Sequence, residues 1–124
     1  MRLLLDANSF LWWVAGSPRL SATAREAIGS GDNEILMTIG SLWEITIKRA
    51  LGKLQFPHEF ETVLRDEGFE LLPVTYTHLR ALESLPLHHR DPFDRLLIAQ
   101  SIAEDIAVAT NDPKFALYDV KTLW

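Results

Sequence analysis

Arg2-Leu3-Leu4-Leu5-Asp6, at residues 2–6, is an apolar run closed by an acid. Three consecutive leucines cannot alternate between a wet and a dry face. The run therefore reads as a strand buried on both sides, as in parallel sheets covered by helices. Ile106–Thr110 repeats the pattern and is followed by Asn111-Asp112-Pro113. Glu34–Thr38 reads as another strand, Phe69–Val74 as a weaker one because Pro73 lies within it, and Val120–Trp124 as a last short one.

Helical stretches separate these runs. Ser9–Ala15 is apolar and ends at Gly16-Ser17-Pro18, and Ser21 is placed to cap a helix to about Ile28. A helix over Ser41–Leu51 stops at Gly52. Another begins at Pro57, as a first-turn proline would, and closes at Gly68. Thr77–Leu85 is helical in pattern and Pro86–Pro92 is a loop. Phe93–Glu104 carries the clearest 3.6-residue periodicity, and a short helix runs from Pro113 to Tyr118. Alternation of this kind predicts an α/β fold, a three-layer α/β/α sandwich with a mostly parallel sheet.

A chain of 124 residues fits one domain over residues 1–124. The absence of cysteine excludes disulfides and thiolate metal sites. No apolar run reaches the roughly 18 residues of a membrane span, and Leu3-Leu4-Leu5 is too short for a signal peptide. The expectation is a soluble cytoplasmic protein. The net charge of −5 argues against a broad basic face for nucleic acid. It leaves open a carboxylate-held cation that presents positive charge to phosphate.

In a parallel sheet, ligands bind beyond the C-terminal strand ends. Asp6 closes the first strand, Asp112 follows Ile106–Thr110, and Glu44 lies about one turn into the helix after Glu34–Thr38. Asp94 joins them only if the Pro86–Pro92 loop returns the chain to that edge. Two carboxylates about 4 Å apart repel by roughly 4 kcal/mol at an effective dielectric of 20, so such a cluster calls for cations or protons. Hard divalent ions prefer oxygen donors, and phosphodiester hydrolysis is chemistry they serve. Ordinary helix-end roles compete with this. Asp112 could cap a helix starting at Pro113, Asp94 could face a dipole behind an Asp91 cap, and Glu44 has capping-box spacing from Ser41. Asp6 alone has no evident cap to make, and an unpaired buried acid is costly.

The blocks LLLDANSFLWW, SLWEITIKRALGKL, HHRDPFDRLLIAQS and ATNDPKF together resemble the PIN domain, most closely the VapC-type toxins of toxin–antitoxin pairs. The likeness runs in order from Met1 to Trp124. It implies a Mg²⁺- or Mn²⁺-dependent endoribonuclease with a three-layer fold. Asp6, Glu44, Asp94 and Asp112 match the four acids of that family. Asp6 and Asp94 carry over as metal ligands, and Glu44 and Asp112 complete the shell, serve a second ion or position the attacking water. Asp91 is the rival to Asp94, and Asn8 and Thr110 are supporting residues. The resemblance also implies RNA as substrate, a cognate antitoxin as partner, and a homodimer. PIN-type nucleases that are not toxins and catalytically silent PIN-like binding modules are the alternatives. Aspartyl phosphatase and receiver domains fit less well, because Asp6-Ala7-Asn8 lacks a second acid.

Trp12 and Trp13 point about 100° apart on a helix that is apolar nearly all round. They are covered either by a neighbouring helix or by an antitoxin segment. His88-His89-Arg90 reads as a solvated loop, with a minor possibility of phosphate contact by His89 or Arg90. Lys48, Arg49 and Lys53 read as a solvated face.

Overall fold

The computed structural model describes residues 1–124. The elements are β1 (Arg2–Leu5), α1 (Ala7–Ala15), α2 (Ala22–Gly29), β2 (Glu34–Thr38), α3 (Ile39–Ala50), α4 (Phe60–Glu67) and β3 (Glu70–Leu72). They continue with α5 (Tyr76–Glu83), α6 (Pro92–Glu104), β4 (Ala107–Ala109), a 3-10 turn at Pro113–Leu117 and β5 (Thr122–Leu123). The five strands form one sheet in the order β3-β2-β1-β4-β5, and every pairing is parallel. Leu3 pairs with Ile35 on one side and Ala107 on the other, so β1 is the central strand.

Leu3, Leu4 and Leu5 are all fully buried. The strand pleat sends Leu3 and Leu5 into one core and Leu4 into another, as expected for a sheet covered on both faces. The first core holds Phe10 of α1, Ala24 and Ile28 of α2, and Leu42 and Ile45 of α3, with α4 packed at its margin. The second holds Leu97 and Ile98 of α6 with Phe115 and Tyr118. α5 packs on α6 through buried His78. Its Nδ1 accepts from the Thr75 amide (3.1 Å) and its Nε2 lies 3.1 Å from Glu104 Oε1. No helix is long and apolar enough to cross a membrane.

Four boundaries differ from the sequence expectation, each for a physical reason. α1 begins at Ala7, because Asp6 caps it. α3 begins at Ile39 behind Thr38, whose Oγ1 accepts from the Ser41 amide (3.3 Å), so Ser41 is not the cap and Glu44 closes no capping box. α4 begins at Phe60, not Pro57. Arg49 donates to the carbonyls of Phe56 (3.1 Å) and His58 (3.2 Å) and lies 4.9 Å from the Phe60 ring centroid. Those carbonyls are thereby satisfied outside a helix, and Arg49 is a clamp rather than part of a solvated face. β3 stops before Pro73 and lies at the sheet edge, where a residue lacking an amide hydrogen is tolerated.

α3 and α6 meet near the strand ends, and Gly40 sets how closely. A Cβ there would lie 3.0 Å from Leu96 Cδ2. Gly40→Val should destabilise the protein by about 1–3 kcal/mol, the usual cost of overpacking. Gly40→Ala should stay near neutral, because a gain in helix propensity of up to about 1 kcal/mol offsets the smaller clash. Urea unfolding curves at constant slope measure both.

Candidate metal centre

The chain runs from β1 outward through β2 to β3 and then crosses back to place β4 on the other side of β1, so the crevice between the C-terminal ends of β1 and β4 is the sheet's switch point. Asp6 sits there. It is 7% exposed, and its Oδ1 accepts from the Ser9 amide (2.8 Å) at the N-terminus of α1. Ser9 Oγ in turn donates to the Ala109 carbonyl (2.9 Å), which ties the start of α1 to the end of β4. The expectation that Asp6 caps nothing is therefore corrected.

The surroundings of Asp6 contain no lysine or arginine partner for it. The buried Thr110 hydroxyl bonds to its carboxyl. Because Thr110 Oγ1 accepts from the Asp112 amide (3.1 Å), its single proton is free to point at Asp6. Burial raises the Asp6 pKa above the ordinary value. The bonds from Thr110 and Ser9 oppose that rise, and the charge of Asp112 adds to it.

Asp112 caps the 3-10 turn, with Oδ1 accepting from the Lys114 amide (3.0 Å). Its Oδ2 faces His89 Nε2 at 3.5 Å, and the same nitrogen lies 2.8 Å from Asp94 Oδ2. Asp94 is in the first turn of α6. Its pKa is raised to about 6 by burial and by the charge of Asp91, with Glu44 adding and the His89 bond opposing. Glu44, on α3, accepts from Lys48 Nζ at 2.9 Å. The four acids thus form one linked group. Asp6 and Asp112 feel each other's charge, His89 bridges Asp112 to Asp94, and Asp94 feels Glu44.

Asp91 turns inward to α6 and accepts from the amides of Phe93 (2.8 Å) and Asp94 (3.1 Å). That leaves Asp94, and not Asp91, facing His89. Asn8 is exposed and makes no hydrogen bond to the acids. It lines a groove beside α1 instead.

His89 is the residue that the sequence reading missed. The loop carrying it is not simply solvated, because His89 is 7% exposed and its amide donates to Tyr118 Oη (2.8 Å). The only trace in the sequence is its place just before the Arg-Asp-Pro cap of α6.

The tryptophans separate. Trp13 packs at a tilt against Phe69 (6.4 Å between centroids), and its Nε1 donates to Glu67 Oε2 (3.1 Å), so the end of α4 and the turn after it pack against the ring. Trp12 meets Trp124 edge-on (5.8 Å) and lines the groove of about 470 Å³ with Asn8, Leu11, Leu54 and Phe56.

The donor set suits a hard divalent cation. Asp6 is buried and Asp94 half-buried, neither pairs with a lysine or arginine, and the His89 nitrogen and the Asp94 and Asp112 carboxylates lie within 4.8 Å of one another. Oxygen-rich sites of this kind favour Mg²⁺ or Mn²⁺.

Among solved structures, the fold is similar to that of VapBC2 from Rickettsia felis bound to a DNA fragment from their promoter. The TM-score is 0.67 at 14% identity, covering 98% of this chain and 97% of that one. It is also similar to FitAcB from Neisseria gonorrhoeae, with a TM-score of 0.66 at 17% identity over 97% of this chain and 95% of that one. No curated protein matches the sequence. The family model of the PIN domain matches residues 3–121, and with nearly its whole length accounted for in this way the chain belongs to the PIN domain family.

Proposed function

We propose that this protein is a metal-dependent endoribonuclease and the toxin of a VapBC-type toxin–antitoxin pair. The observation that carries the reading is the linked group of four acids at the sheet's switch point, with Asp6 buried and Asp94 half-buried and neither paired to a lysine or arginine. Asp6 and Asp94 hold the ion, which is Mg²⁺ or Mn²⁺. Glu44 and Asp112 complete its shell or serve a second ion. Bound there, the ion supplies activation of water and neutralisation of the phosphate charge that develops in the reaction. Thr110 keeps the Asp6 carboxylate turned into the crevice, and Lys48 holds Glu44 at its rim. RNA as substrate places this action in the cytoplasm.

The antitoxin is assigned to the α1 groove, with Trp12 as its anchor. A homodimer is assigned to the face where α3 meets α4 and β3. That face forms a second groove of about 420 Å³ and exposes Ile39, Trp43 and Leu71, an apolar patch of the kind that marks interaction surfaces.

Purified protein, freed of any partner, should cleave RNA with Mg²⁺ or Mn²⁺ and stop in EDTA. Asp6→Asn keeps a capping side chain and Asp94→Asn keeps an acceptor for His89, so both should fold. Each should lower cleavage by about a hundredfold or more, the scale of losing some 3 kcal/mol of charge stabilisation. Full activity in both would refute the assignment.

The raised carboxyls also predict a pH signature. Between the ordinary 3.8 and about 6, native Asp94 holds a proton that the unfolded chain has released. Its contribution to stability therefore falls as pH rises through that window in EDTA. Mn²⁺ should raise the melting temperature more at pH 7.5 than at pH 5, where protons compete for the same carboxyl. Equal shifts at both pH values would contradict this.

Trp12→Ala should weaken the complex with the antitoxin while leaving cleavage nearly unchanged, at some cost in melting temperature from its contact with Trp124. Trp13→Ala, whose ring is packed in the fold, should lower the melting temperature.

A further inference from the structure

We infer that His89 is a positioning residue for the metal site, a hydrogen-bond donor that holds Asp94 and Asp112 at a fixed separation and does not itself bind the ion. The inference rests on the proposed metal-dependent reading of the four acids and adds a role for a residue outside them.

The Asp91 amide donates to His89 Nδ1 (3.4 Å), so Nδ1 must present a lone pair and the ring proton sits on Nε2. That N–H faces Asp94 Oδ2 at 2.8 Å and Asp112 Oδ2 at 3.5 Å. One donor placed between two carboxylates draws them together where their charges would push them apart. A nitrogen that carries its proton into this contact has no lone pair to offer a cation. Each carboxylate still has its other oxygen. Asp112 Oδ1 serves the Lys114 amide, while Asp94 Oδ1 makes no hydrogen bond and is free for an ion.

The ring is held in place from behind. The amides of His88 and His89 both donate to Tyr118 Oη, at 3.0 and 2.8 Å. Arg95 Nη1 donates to the same oxygen (3.2 Å) and to the Pro86 carbonyl (2.9 Å). Tyr118 belongs to the second core, so the loop is pinned to the packed interior. The backbone carrying His89 therefore cannot move away without releasing two hydrogen bonds to Tyr118. Groups that orient ligands in this way commonly change metal affinity or activity by about 10–100-fold when removed.

The test is Mn²⁺ binding, followed by calorimetry and by electron paramagnetic resonance, alongside RNA cleavage. His89→Ala should weaken Mn²⁺ binding by about tenfold, and His89→Gln, which can return an N–H to the carboxylates, should recover most of it. Tyr118→Phe loosens the loop without altering the ring and should shift binding in the same direction by less. It also keeps the question answerable if His89→Ala fails to fold. The spin-echo spectrum of bound Mn²⁺ should show no directly coordinated ¹⁴N in the wild type. A coordinated ¹⁴N, or unchanged Mn²⁺ affinity in folded His89→Ala and Tyr118→Phe, overturns the positioning role while leaving the four-acid site standing. Wild-type protein that binds no Mn²⁺ overturns both.

Discussion

The arrangement depends on one constraint: carboxylates, one buried and the others partly so, are gathered at the end of a parallel sheet with too few fixed cations to neutralise them. Asp6 and Asp94 both have raised pKa values, and in both burial is the main cause. Folding alone gains nothing from such groups, since a buried charge without a partner is destabilising. The neighbouring hydrogen bonds oppose the effect only in part. A site of this kind becomes intelligible when a cation completes it. The local structure is arranged to keep the acids in place until then: Asp6 by its cap to α1, Asp112 by its cap to the 3-10 turn, and Asp94 by His89.

The sheet explains why those acids converge although 106 residues of chain separate Asp6 from Asp112. β1 is central and pairs with β2 and β4, so the exits of three parallel strands share one edge. Glu44 and Asp94 reach it from helices, and their spacing follows from the packing of α3 on α6. At Gly40, Leu96 occupies the space a side chain would need. The distance between two acids thus depends on a glycine that touches neither.

Much of this was legible in the residues. The uninterrupted leucines of β1 announced a strand buried on both faces, and their split between two cores is what the pleat requires. The order of acids relative to strands was legible for the same reason. Boundaries were less so, because the deciding bonds are long-range. Nothing near Pro57 shows that Arg49 will capture the carbonyls of Phe56 and His58. Asp6 is the opposite case: Asp6-Ala7-Asn8-Ser9 has the spacing of a helix cap, and the signal was local. The burial of His89 depends on Tyr118, 29 residues away, so its neighbours in sequence could not reveal it.

The acidity of the chain is the remaining obstacle to an RNA substrate, and the site accounts for most of it. The chain has 17 acidic and 12 basic residues, for a net charge of −5. Setting Asp6, Glu44, Asp94 and Asp112 aside leaves 13 against 12, a balance of −1. The chain outside the four acids is therefore nearly neutral, and the repulsion that a polyanion would meet is concentrated at those acids. One or two divalent ions at that point would offset half or all of the charge of the four acids and present a cation to an approaching phosphate. On the proposed reading, the cation is needed for substrate to arrive as well as to react, and an acidic protein can act on RNA without a basic face.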